Sequence, residues 1–165
     1  MKHQHSYNVW LAAALVDLRD TSIAYKAALA EQTRLHALKS ETDTLYYRAD
    51  CFDRGKPANT LGRRRYLAIA RGRISAQYYE CGERLHALRD VQRLQEHHIE
   101  HAIAVHYARI AKHWDADKFA VWYVEDMRRD YAFLAKAAAG APLPVSEYRL
   151  TECHTESDPW LGVKR

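Results

Sequence analysis

The sequence predicts an all-α protein: a long antiparallel helical hairpin, coiled-coil-like, closed by a third helix and followed by an irregular C-terminal tail. Three observations carry this expectation. Glycines and prolines are few, six and four in 165 residues. The breaks they mark most clearly are Gly55-Lys56-Pro57 and Gly140-Ala141-Pro142, with Pro144 and Pro159 beyond. Between these marks, apolar residues recur at helical spacing over long stretches. The expected organisation is a helical bundle domain over 1–140 and an irregular tail over 141–165.

The first helical region runs over about 6–52. Leu11, Leu15, Leu18, Tyr25 and Leu29 make one stripe on a wheel of 100° per residue. Leu35, Leu38, Leu45, Ala49 and Phe52 make another, on nearly the opposite face. Either the helix breaks near Gln32–Thr33, or it changes partner halfway along. A second half that buries a different face suits a homodimer interface, and a kink in a monomeric bundle suits the pattern equally.

The second region, about 60–113, has Asn59 or Thr60 as its cap, since a short acceptor side chain satisfies free amides there. One stripe collects Leu67, Ala70, Ile74, Tyr78, Cys81, Leu85, Leu88, Ile99, Ile103, Ile110 and Trp114. Leu67, Leu85 and Ile103 are 18 residues apart, which is five full turns. A polar gap interrupts the stripe at Gln92, Gln95 and Glu96. A straight helix of this length would span roughly 80 Å, against roughly 40 Å for a compact chain of this size. So either the hairpin is elongated or the helix breaks, with Gln92–His98 or Gly82 as the place. His106 falls on the apolar stripe and reads as a core histidine.

The third region, about 116–139, starts at a cap from Asp115 or Asp117 and ends at Gly140. Its apolar face is Ala120, Val121, Val124, Met127, Tyr131, Leu134, Ala135 and Ala138. Glu125, Asp126 and Asp130 stand among Arg128 and Arg129 at spacings that read as a surface ion-pair network. In the tail, Val145, Tyr148, Leu150 and Trp160 are the residues able to anchor it on the bundle or to meet a partner.

Charge narrows the functional classes. Residues 54–93 hold ten Lys or Arg and three acids, about +7, while the rest holds fifteen bases and eighteen acids, about −3. The stretch RRRYLAIARGR at 63–73 is its densest piece, but its arginines do not share a face. Followed further, Arg64, Arg71, His86, Arg89 and Arg93 fall on one flank beside the core stripe. Ala68, Ser75, Tyr79 and Gly82 lie between them, with no acid until Glu100. Guanidinium forks grip carboxylates and phosphates, and an aromatic ring such as Tyr79 anchors interfaces or stacks on a base. The candidate binding residues are therefore Arg64, Arg71, Tyr79, His86, Arg89 and Arg93. The bland reading is a solvated face with local pairs such as Glu80–Arg84.

Six of the ten histidines lie between 86 and 113. His97 and His101 are one turn apart, a spacing that holds a transition metal, but they point away from the core stripe and need another element to complete a site. Neither a Gly-rich phosphate loop nor Gly-x-Ser-x-Gly is present. Cys81 reads as core, and Cys153-His154 as tail residues without a working geometry. Three widely spaced cysteines suit a reducing compartment, here the cytoplasm. The apolar run after Met1 is too short and too soon followed by Asp17 and Asp20 for a signal peptide, and no window is apolar enough to span a membrane.

The expectation is a non-enzymatic helical interaction protein without cofactor: an adaptor, regulator or inhibitor docking on an acidic protein partner through the basic flank. The alternative is nucleic-acid binding by the same flank. The third is metal binding by His97 and His101.

Overall fold

The computed structural model describes residues 2–53, 61–112 and 123–143. Three helices account for almost all of them: α1 (Lys2–Asp53), α2 (Leu61–Ala111) and α3 (Val124–Ala138). The fold is all-α, with α1 and α2 paired antiparallel and α3 packed against both. The expected caps at Asn59 or Thr60 and at Asp115 or Asp117, along with Trp114, Ala120 and Val121, lie outside the described residues. So do Val145, Tyr148, Leu150, Cys153, His154 and Trp160.

Neither long helix breaks. α1 runs unbroken through Gln32–Thr33, and α2 through Gly82 and Gln92–His98. In α1 the change of face read from a straight wheel is replaced by one seam with a seven-residue repeat. Leu11, Leu18, Tyr25, Gln32, Lys39 and Tyr46 recur at that spacing, and all are buried or half-buried. Ala28, Leu35, Thr42 and Ala49 interleave with the later ones. A 3.5-residue repeat drifts by about 20° per heptad from a straight 3.6-residue helix, so a straight wheel loses the seam after a few heptads. Leu29, expected in the seam, is 43% exposed. In α2 every described member of the expected stripe is buried or half-buried, so its phase holds throughout.

The chain divides into two compact units. Unit 1 combines α1 as far as Ile23 with α2 from Asp90 onward and α3; unit 2 is Ala24–Arg89. Unit 1 holds the main core: Leu11, Leu15 and Leu18 from α1, Ile99, Ile103 and Tyr107 from α2, and Tyr123, Phe133, Ala137 and Leu143 from and around α3. Burial of such side chains contributes about 1.5–3 kcal/mol each. Of the expected face of α3, Met127, Tyr131, Leu134 and Ala138 pack against the core, Ala135 is exposed, and Asp130, Phe133 and Ala137 are buried beside them.

The end of α3 follows its sequence signal. Gly140 has φ +60°, and the amides of Gly140 and Ala141 donate to Ala137 O at 2.8 Å and Lys136 O at 2.9 Å. This pair of bonds closes a helix C-terminus through a left-handed residue, where glycine has no Cβ penalty. The polar gap of α2 serves the same end. Gln92 Nε2 donates to Ala138 O at 3.2 Å and to Glu96 Oε1 at 2.8 Å, so it satisfies a carbonyl that α3 leaves open.

Unit 2 is a two-helix seam. Its cross-helix contacts run antiparallel: Cys81 Sγ to Ala28 O at 3.5 Å, His36 against Tyr78 at 5.9 Å, Arg71 on Asp43, and Arg64 on Asp50. Gly82 lets Gln32 approach closely, since a Cβ there would stand 3.3 Å from its Nε2.

Candidate functional site

On one side of the unit 2 seam, α1 and α2 border a shallow groove of about 470 Å³. His36, Lys39, Ser40, Asp43, Thr44 and Tyr47 line it from α1, and Tyr78 and Tyr79 from α2. Tyr47 and Tyr79 are 56% and 64% exposed, so their rings stand as open walls.

The floor is an ion triad. Asp43 accepts from Lys39 Nζ at 2.9 Å and from Arg71 Nε at 2.5 Å. These two donors, Lys39 first, hold the Asp43 carboxyl below its usual value, and Asp43 in turn raises both cations. The Arg71 guanidinium also lies 5.1 Å and 5.3 Å from the Tyr46 and Tyr47 ring centres, and it donates to Tyr47 Oη at 3.3 Å. Two cations therefore share one carboxylate, and the triad keeps a net positive charge.

The structure sorts the expected binding residues into two kinds. Arg64 and Arg71 are tied to α1, Arg64 through Asp50 at 2.6 Å. Tyr79, His86 and Arg89 are exposed in unit 2, at one- and two-turn steps along the same flank of α2. Arg93 belongs to unit 1 and is exposed there. The α1 half of the groove was not found from sequence. Its signal is the spacing of His36, Ser40, Asp43 and Tyr47, three or four residues apart, which marks one helix face. Glu80 and Arg84 are both exposed and form no ion pair with each other.

His97 and His101 are exposed on α2. Among the described residues no group of three or more His, Cys, Asp or Glu is placed to hold a metal ion. No helix among them is long and apolar enough to cross a membrane.

Unit 1 contains a second polar cluster, and this one is closed. Asp130, expected at the surface, is 6% exposed. Its Oδ2 accepts from Tyr107 Oη at 2.9 Å and from Tyr7 Oη at 3.2 Å. Of the expected surface network, the Asp126–Arg129 pair forms, at 3.1 Å. Burial pushes the Asp130 carboxyl up against the two hydroxyl donors, and burial together with Asp130 pushes the Tyr107 hydroxyl up. His106 stacks on Tyr7 at 3.6 Å and 3°. Burial, with Arg109 nearby, lowers its pKa to about 4, so the imidazole is neutral at pH 7. One acidic residue thus ties all three helices of unit 1 together through tyrosine hydroxyls, which is a structural use of buried polarity.

Comparison of the chain with protein-family models, curated proteins and solved structures finds no match.

Proposed function

We propose that this protein is a non-enzymatic interaction protein, an adaptor, regulator or inhibitor, which docks an acidic protein partner on the tyrosine-walled side of unit 2. The observation that carries this reading is the charge balance of that side. Lys39, Arg64, Arg71 and Arg89 stand there; Asp43 and Asp50 are already engaged by cations, and the exposed acids Glu83 and Asp90 border Tyr79 and His86 on α2. The Lys39–Asp43–Arg71 triad, with two cations on one carboxylate, and the exposed Arg89 offer donors to carboxylates from outside. Tyr79 and Tyr47 supply rigid aromatic area beside those donors, the residue type that most often dominates interfaces.

Arg64 and Arg71 shape the field from within the fold. Tyr79, His86 and Arg89 make the contacts, since they are exposed. The same donors suit phosphate, so nucleic acid is the competing ligand, and salt separates the two. Neutralising several phosphates gives a steep slope, nearly one unit per phosphate on duplex DNA, with little dependence on any one side chain.

The test is a selection of displayed peptides on the purified chain, followed by anisotropy titration of the winners beside labelled single- and double-stranded oligonucleotides. The expected winners are rich in Asp and Glu, and Tyr79→Ala and Arg89→Glu each weaken them by about tenfold or more. Winners without acidic residues, or unchanged affinity in both variants, contradict the proposal. Tight oligonucleotide binding with a steep salt slope, lost in Arg89→Glu, assigns the side to nucleic acid instead.

A further inference from the structure

The stretch RRRYLAIARGR at 63–73 is only half used by the fold, which sorts its five arginines into two sets. Arg64 and Arg71 turn towards α1 and hold Asp50 and Asp43. Arg63, Arg65 and Arg73 are exposed and make no ion pair among the described residues.

Arg65, Ile69 and Arg73 follow one another at one-turn steps, so they share the outward face of α2. Arg65 and Arg73 stand about 12 Å apart along the axis. Tyr66 and Ile69, between the two guanidinium groups, are 72% and 50% exposed. Gly62, Gly72 and Ala76 are exposed on the same face. A Cβ added at either glycine would meet nothing within 4 Å. The face is therefore open, and the backbone of a ligand can come close to α2.

Charge identifies the occupant. α2 carries no acid before Glu80, two turns beyond Arg73. The register set by Asp43 against Arg71 brings Glu41 of α1 level with Arg73, and Arg48 level with Tyr66. Both are exposed and make no ion pair among the described residues. Arg48, Arg63, Arg65 and Arg73 thus stand against Glu41 alone. The first turn of α2 adds the partial positive charge of a helix amino end. Such a line of forks fits a ligand whose negative charge repeats along a chain. Tyr66 narrows the class. Aromatic anchors of protein interfaces are buried in packed pockets, whereas Tyr66 stands on a convex helix face. An open ring beside guanidinium groups is a platform on which an unpaired base stacks.

We propose that the outward face of α2 over 62–76 binds single-stranded nucleic acid. Arg65 and Arg73, with Arg48 and Arg63 at the edges, hold phosphates, and Tyr66 stacks on a base. This ligand is separate from the acidic protein of the groove side.

The test is anisotropy of a labelled oligothymidylate titrated with the full chain from about 50 to 200 mM salt. Polyglutamate and a duplex of equal length serve as competitors, and far-ultraviolet circular dichroism checks every variant for folding. The wild type is expected to bind with an affinity that falls steeply with salt. Arg65→Glu combined with Arg73→Glu weakens binding by about tenfold or more and flattens the salt slope. Tyr66→Ala weakens it by about fivefold or more and leaves the slope unchanged. If the double variant loses helicity, Arg65→Ala and Arg73→Ala made singly replace it, each with a smaller loss of the same kind. A wild type that does not bind overturns the proposal. So does competition by polyglutamate or duplex as strong as by unlabelled strand, or binding indifferent to these changes. Binding lost in Arg89→Glu but kept in the Arg65 and Arg73 variants also overturns it, since the strand then lies on the groove side.

Discussion

Asp130 and His106 lie in one cluster and tilt stability in opposite directions with pH. His106 has its pKa lowered to about 4 in the folded chain, against about 6.5 unfolded. Its contribution is present above the unfolded value and is lost as pH falls from about 6.5 towards 4, because the unfolded state takes up the proton first. Asp130 has its carboxyl raised by burial. Its ionisation therefore costs stability as pH rises through the folded value, and protonation relieves that cost. Tyr7, stacked on His106, and Arg109, Tyr107, Arg129 and Asp126 are the other titratable or charged groups acting on the two. His106→Phe keeps an aromatic ring on Tyr7 and removes the imidazole. Urea midpoints measured from pH 7 to 4 should fall for the wild type and fall less for His106→Phe; equal slopes would remove His106 as the cause. His106 was legible as a core residue because it lies on the α2 stripe. Asp130 was not, because it stands in a run of charges with Glu125, Asp126, Arg128 and Arg129 that reads as a solvated face. Only the hydroxyls of Tyr7 and Tyr107, distant in sequence, show what it binds.

At the scale of elements, the seam of α1 decides which leucines matter. A straight wheel places Leu29 with Tyr25 and Leu18, whereas the heptad drift gives that place to Ala28, Gln32 and Leu35. Leu35 is 3% exposed. Leu35→Ala should cost about 2–5 kcal/mol, the range for deleting a buried leucine. Leu29→Ala should stay within about 0.5 kcal/mol, as surface changes usually do. Denaturant unfolding of the two variants separates the phases, and a larger loss for Leu29 would contradict the seam described. The three helices and the Gly140 terminus could be read directly from glycine, proline and apolar spacing. The continuity of α1 could not, since Gln32 and Lys39 occupy seam positions that a hydrophobic pattern leaves blank. The gap at Gln92–Glu96 hid its role for a similar reason: Gln92 serves the end of α3, and a one-helix pattern has no view of that neighbour.

At the scale of the whole molecule, the uneven charge of the chain finds a partial outlet in the fold. The basic segment at 54–93 supplies Arg64 and Arg71, which α1 neutralises in part through Asp50 and Asp43. It also supplies Arg89, which makes no ion pair among the described residues. The flank of candidate residues was therefore visible as a charge pattern, but its division into tied and open arginines depends on carboxylates of another helix. Unit 2 consequently has two unlike sides: one cationic and walled by tyrosines, one an open face of α2 with unpaired arginines. The central claim is that the cationic side receives an acidic protein. The most direct measurement is site-specific photo-crosslinking from position 79, with a photoreactive phenylalanine in place of Tyr79, in living cells of the source organism. The claim predicts one discrete protein adduct whose crosslinked peptide is rich in Asp and Glu, and which disappears with Arg89→Glu. Adducts to nucleic acid, to a second copy of the same chain, or to no molecule at all would contradict it.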